Sequence, residues 1–383
     1  MRDDRPAIER LITRVLGDPE TKRFGSGWIS GTGGVFLGVL AVLGVLAFRF
    51  PDLLTSPELR GRYSVPALRA LLETGIALAF VLGVVSMLLR RRKVLGATAV
   101  VLALGAALAG GGAIPIDSDF ARQHTIGLDW FVLNLLLLAL VFVPLERAFP
   151  RRSQQTTFRF GWTTDGTHFL VSHLALQMLT FVTLLPSTTI VGLWRPDALR
   201  STIGWQPIWL QFLAIVVVTD LVQYWVHRAF HRIPLLWRFH AVHHSSRAMD
   251  WLAGSRLHVL DVVVTRGLVI APVFLLGFAQ TAVYAYLIFV GFHAVFIHAN
   301  VGFHFGRLDH WIATPRVHHW HHALTPTDRN FAVHLPVLDR IFGTLHLPER
   351  VWPDAYGIAG HPVPEGWLAQ LVAPFRAAAS RSA

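Results

Sequence analysis

Histidine is the residue type in this chain best placed to do chemistry, and it is concentrated. Sixteen of the 20 histidines fall between His227 and His346, and most sit in four short groups. "HRAFH" sets His227 and His231 four apart, which on a helix puts both imidazoles on one face, one turn apart. "HAVHH" holds His240, His243 and His244 at i, i+3 and i+4, again on one face. "HANVGFH" contributes His298, Asn300 and His304, and "HHWHH" repeats the HxxHH spacing in His318, His321 and His322. A lone histidine beside apolar sequence is ordinarily a packing side chain, and His124, His168, His173 and His361 read that way. Crowded imidazoles without a cation would repel on protonation and leave ring nitrogens unsatisfied. The set therefore reads as a metal site. A structural zinc takes four ligands and a catalytic one three, so eight or nine imidazoles suit two ions. Imidazole accepts zinc, copper, iron or nickel, and ligand type alone does not choose among them.

The elements that must position these residues are membrane spans. The chain is 53% hydrophobic and 15% charged, against about 25% charged for soluble domains. Apolar runs at 28–48, 66–89, 94–114 and 130–145 approach or exceed the roughly 20 residues that cross a bilayer. Further runs lie near 168–193, 208–226, 262–278 and 282–297. The expected fold is all-α: a polytopic membrane helical bundle of about seven to eight membrane helices under a cytosolic histidine-rich cap. Residues 279–281, "AQT", are so short a link that the last two runs should form an antiparallel helical hairpin. Such a hairpin returns His298 to the membrane face that carries His227.

With no cysteine, disulfides, thiolate metal sites and iron–sulfur clusters are excluded. The net charge of +11 is carried by "RRRK" (90–93), by Arg147, Arg151, Arg152 and Arg159, and by arginines from Arg228 to Arg256. These follow alternate spans, which puts the histidines and both termini on the cytoplasmic side. Anionic lipid explains such juxtamembrane charge better than nucleic acid does. Residues 7–16 can form a surface helix, and no cleaved signal peptide is expected. We divide the chain into an accessory three-span region (1–127), a working domain (128–350) and a C-terminal cytosolic tail (351–383) with a surface helix near 365–378.

Five segments, "DLVQYWVHRAFH" (220–231), "HAVHHSS" (240–246), "HANVGFH" (298–304), "TPRVHHWHH" (314–322) and "NFAVHLPVLDRIFGT" (330–344), resemble the fatty acid hydroxylase/sterol desaturase superfamily of membrane di-iron oxygenases. The resemblance covers roughly 128–347. It implies that His227, His231, His240, His243, His244, His298, His318, His321 and His322 coordinate two irons, with His319 a non-ligand. His304 and His293 are possible extra ligands, and Asn300 a possible partner of a metal-bound water. Asp220, two turns before His227, is expected to orient an imidazole. Asn330, Asp339 and Arg340 are expected to lock the cap around the last box. Two departures from the family pattern, His334 and Val259, lie outside the ligand set.

The resemblance further implies an oxidoreductase that uses O2 to hydroxylate or desaturate a lipid C–H bond, sterol, fatty acyl or related. Electrons must come from outside, since the chain has no haem, flavin or nicotinamide motif; a ferredoxin or a b-type cytochrome system is the expected donor. A bacterial inner membrane suits the arginine-rich, lysine-poor composition. A metal transporter would place ionisable residues within its spans, but here Glu73 and Asp220 are the notable ones, and the histidines lie at span ends. A degenerate relative that binds metal without turnover is the remaining alternative.

Overall fold

The computed structural model describes residues 25–56, 64–115, 127–156, 158–194 and 196–376, together with Arg10. The expected surface helix at 7–16 lies outside them, as does His124. Among the described residues the structure is helical and has no strand, only two isolated bridges, Pro150–Val301 and Ala323–Tyr356. Six described helices are long and apolar enough to cross a membrane, and the protein is a multi-pass membrane protein. The chain forms two compact units, residues 1–135 and 136–383.

In the first unit, α1 (Trp28–Arg49), α2 (Val65–Leu89) and α3 (Val94–Leu108) pack on one another. Apolar side chains gain little by leaving lipid, so close backbone approach has to hold such helices together. Gly31, Gly34, Gly38 and Ala41 supply it as a buried stripe along α1. A Cβ on Gly34 would stand 2.9 Å from that of Ala99, and one on Gly96 would stand 2.5 Å from the carbonyl oxygen of Gly83.

The division between the units falls within α4 (Leu128–Ala148). The second unit continues with α5 (Trp162–Leu193), α6 (Ile208–Arg232) and the short α7 (Pro234–His244). After these come α8 (Val259–Leu276), α9 (Gln280–Phe296), α10 (Pro315–His321), α11 (Val337–Ile341) and α12 (Trp367–Val372). α6 is the organising element. Its Ile215 and Val216 share a core with Val273 of α8 and Ala282 and Tyr286 of α9, while α8 also packs against α5.

The hairpin differs from its expected form. The link is Gly277–Ala279 rather than 279–281, and it turns at Gly277, whose φ of +69° suits glycine. Its arms do not run along each other; both rest on α6. Buried Tyr286 and Ala282 find a better apolar surface on α6 than on the opposite arm.

α7 and α10, which carry the HxxHH boxes, each begin with proline at the first helical position, where no amide hydrogen bond is lost and φ is already helical. The C-terminal segment is no free tail. Trp352, Tyr356 and Gln370 are buried, and the surface helix expected near 365–378 is the single short turn of α12 followed by a 3-10 turn at Ala373–Phe375.

Candidate metal centre

The last turn of α6 presents His227 and His231, α7 presents His240, His243 and His244, the segment after α9 presents His298, and α10 with its C-cap presents His318, His321 and His322. They converge as two buried groups, His227–His231–His240–His244–His321 and His243–His298–His318–His322. Within each group one ligand atom per residue lies within 4.8 Å of the others. Each HxxHH helix serves both groups.

Six of the rings are fixed through Nδ1. The Nδ1–H of His227 donates to the Phe331 carbonyl at 2.8 Å, that of His243 to Arg256 at 3.1 Å, that of His298 to Ala294 at 2.6 Å and that of His321 to Arg329 at 2.8 Å. His240 donates to Asp261 at 2.7 Å, and His231 faces Asp328 at 3.1 Å. A neutral imidazole that donates from Nδ1 has only a lone pair on Nε2, so these partners choose the tautomer. Nε2 of His227 nevertheless lies 3.0 Å from Nε2 of His240, and Nε2 of His243 lies 3.4 Å from that of His298. Two bare lone pairs cannot hydrogen-bond. A shared cation removes the conflict, because metal–nitrogen bonds of about 2.0–2.1 Å put neighbouring ligand nitrogens about 2.9–3.4 Å apart. Among the described residues, Nε2 of His244 and His321 are buried with no hydrogen-bond partner, the state of donors kept for a metal. The donor set fits two ions.

Burial, followed by the neighbouring imidazoles, pushes His243, His244, His318, His321 and His322 well below the ordinary histidine value. Burial takes His298 down to about 4. The rings are neutral at pH 7, so protons do not compete for the nitrogens.

The other sequence-designated residues divide. Asn330 donates to the Val317 and His346 carbonyls and accepts from the His346 amide; Asp339 accepts from the amides of Phe331 and Ala332 and from the Thr344 hydroxyl. Both tie the cap loop to α10 and α11, whereas the Arg340 side chain is exposed. Asp220 touches no imidazole. It accepts from the amides of Val333, His334 and Leu335, whose carboxylate-hungry N–H groups converge on the end of α6. Asn300 spends its side-chain amide on the backbone of Arg152 and faces no ligand nitrogen. His304 is exposed and stacks on Trp352, and His293 pairs with His334 at 3.1 Å and donates to the Ala313 carbonyl. Neither joins the two groups. His319 is also outside them, hydrogen-bonded to Tyr356.

Asp261 and Asp328 were missed by the sequence reading as imidazole partners. Asp261 stands in "RLHVLD", and its signal was position: a carboxylate in the first turn of an apolar span is costly unless paired. Asp328 gave no such signal, since it lies in a polar loop.

A model of the fatty acid hydroxylase family matches residues 212–344, a stretch that contains all nine clustered histidines. The chain is 30% identical over 268 residues to the ornithine lipid hydroxylase OlsE of Rhizobium tropici, covering 67% of this chain and 78% of that protein. It is 31% identical over 180 residues to human alkylglycerol monooxygenase, covering 46% of this chain and 38% of that one. The Danio rerio alkylglycerol monooxygenase is 32% identical over 197 residues, 48% and 43% of the two chains. The chain thus spans less than half of either alkylglycerol monooxygenase. No solved structure matches it.

Proposed function

The chain belongs to the fatty acid hydroxylase family, and from that premise we propose that it is a membrane di-iron oxygenase that hydroxylates or desaturates a lipid C–H bond. The carrying observation is the pair of lone-pair conflicts at His227–His240 and His243–His298, which two cations would relieve. His227, His231, His240, His244 and His321 would hold one iron, and His243, His298, His318 and His322 the other. Two irons there would supply activation of O2 and the oxidising power to cleave an unactivated C–H bond.

The chain's own residues orient and shield. Carbonyls and carboxylates on Nδ1 fix each ring, and Phe230, Phe331 and Trp237 pack against the imidazoles and keep water out. The groups sit at the ends of α6 and α9 rather than mid-span, where a lipid chain rising from the bilayer meets them. OlsE and the alkylglycerol monooxygenases bear names that are consistent with a polar lipid as substrate. We assign 128–350 to catalysis, 1–127 to an accessory role and the site to the cytoplasmic face of a bacterial inner membrane. A ferredoxin or b-type cytochrome would dock at Arg151, Arg152 and Arg247, which lie over Trp352, Tyr356 and Phe160, its acidic surface meeting the guanidinium groups.

Elemental analysis of protein from iron-supplemented cells tests the assignment. Two irons per chain are expected, lost in a His243→Ala, His321→Ala double variant that takes one ring from each group. Full metal retention in that variant would overturn the ligand set.

A further inference from the structure

We propose that Arg266 holds the anionic headgroup, carboxylate or phosphate, of the lipid substrate inside the membrane-spanning part of the protein. The proposal rests on the monooxygenase reading and names its substrate class. Arg266 stands near the middle of α8, a helix long and apolar enough to cross a membrane. An ionisable side chain at that depth is costly and is kept where it has work to do. Its position on the helix is inward. Leu260, Val264 and Leu268 form the exposed stripe of α8, and Arg266 points to the opposite side, the face it shares with Ile270 and Val273. Those two residues pack into the core made with α6 and α9. On that face Arg266 is nonetheless exposed. An exposed guanidinium there is open to a lipid that reaches the face α8 shares with α6 and α9.

No described residue neutralises it. Among the described residues no carboxylate pairs with Arg266, and the polar group within electrostatic reach is the hydroxyl of Tyr286. Asp220, which also acts on that tyrosine, is spent on three backbone amides. A guanidinium presents a planar fork of donors that matches a carboxylate or phosphate, so the missing partner is an anion from outside. The neighbourhood leads to the metals: Thr265 donates to Asp261 at 3.1 Å, and Asp261 accepts from His240 at 2.7 Å. Arg266 lies five residues beyond Asp261, about 7.5 Å along the helix. A headgroup held there fixes which carbon of the lipid faces the imidazoles.

The test is binding of palmitate, palmitoyl-lysophosphatidate and monopalmitoylglycerol to full-length protein in phosphatidylcholine nanodiscs, without turnover. Wild type should bind at least one anionic probe about tenfold tighter than the neutral one. Arg266→Gln should lose that preference by roughly 10- to 100-fold and leave the neutral probe unchanged, while Arg266→Lys keeps most of it. Preference for palmitate identifies a carboxylate, preference for lysophosphatidate a phosphate. Equal or absent binding of the anionic probes by wild type, or full retention by Arg266→Gln, overturns the proposal. Thermal unfolding separates a structural role: removing an uncompensated charge should leave Tm unchanged or raise it, and a clear drop also overturns it. Anion-selective binding without oxidation of any lipid would refute the monooxygenase reading and leave this one standing.

Discussion

Asp261→Asn removes a charge from the back of His240 without changing the size of the side chain. The Asp261–His240 contact is 2.7 Å long, and both side chains are about 95% shielded, being 4% and 6% exposed. A hydrogen bond to a buried charge contributes about 1.5–3 kcal/mol, and about 1.4 kcal/mol is a factor of ten in affinity. Metal affinity of the group containing His240 should therefore fall about 10- to 100-fold, the usual cost of losing a partner behind a ligand. Asp261→Ala should fall at the upper end, because Thr265 and His240 both lose their acceptor. Asp328 provides the internal comparison. Its contact with His231 is 3.1 Å, and its side chain is 26% exposed, so solvent screening limits the effect of Asp328→Asn to about fivefold or less. Titration of chelator-stripped protein with ferrous ion under argon should resolve two binding steps. In Asp261→Asn one step weakens and the other holds. Wild-type affinity in both Asp261 variants, or a larger loss from Asp328→Asn, would refute the reasoning.

Gly254→Ala would bring a Cβ to 2.7 Å from Nδ1 and 3.0 Å from Cγ of His298; the ring must leave the Ala294 carbonyl, and metal content should drop toward one ion per chain. Two retained ions would mean that the backbone yields instead. Asp220→Ala strands three amides at the end of α6, and at about 1–3 kcal/mol for each buried unpaired group it should lower Tm sharply, while protein that still folds keeps its metal. Acid should destabilise metal-free protein. The native imidazoles, His298 at about 4 and the five others well below the ordinary histidine value, refuse protons that the unfolded chain takes up below about 6.5. Protons then favour the unfolded state, so stability is full above about 6.5 and falls as pH drops toward 4, by about 1.4 kcal/mol per pH unit for each such ring. Tm of chelator-treated protein between pH 7.5 and 5 measures this, and a flat profile contradicts it.

The nine imidazoles were readable in the sequence because helical periodicity converts spacing into a shared face: HxxHH in α7 and α10 admits few other arrangements. The spans were readable from hydropathy alone. What could not be read is how loops close on these helices. Asp220 looked like a partner for His227 because both lie on α6, yet the turn after Phe331 brings three amide groups to it first. Asn300 sat beside a ligand in the sequence, but its amide matches the backbone of Arg152, a residue distant along the chain. His293 and His304 carried the right chemistry on the wrong side of α9 and of its following segment. The arms of the hairpin were correctly adjacent in sequence, and only packing volumes decided that α6 would serve both. The C-terminal segment looked polar, and its large buried side chains, Trp352, Tyr356 and Gln370 among them, are too widely spaced to form a pattern.

Of the six acceptors that fix the imidazoles, four are main-chain carbonyls, those of Phe331, Arg256, Ala294 and Arg329. A point mutation can change the side chain at any of these positions and leave the acceptor itself in place. Such a change leaves the acceptor in place as long as the loop keeps its path, even where the side chain has other contacts, as those of Phe331 and Arg256 do, whereas Asp261 and Asp328 are single points of failure written in side chains. Inheritance has direct access to only one of the two metal groups through such partners, because both carboxylates stand behind the group that contains His231 and His240. Natural variation in metal reactivity across descendants of this chain should accumulate on that side, and the other group should change only when a loop is rebuilt.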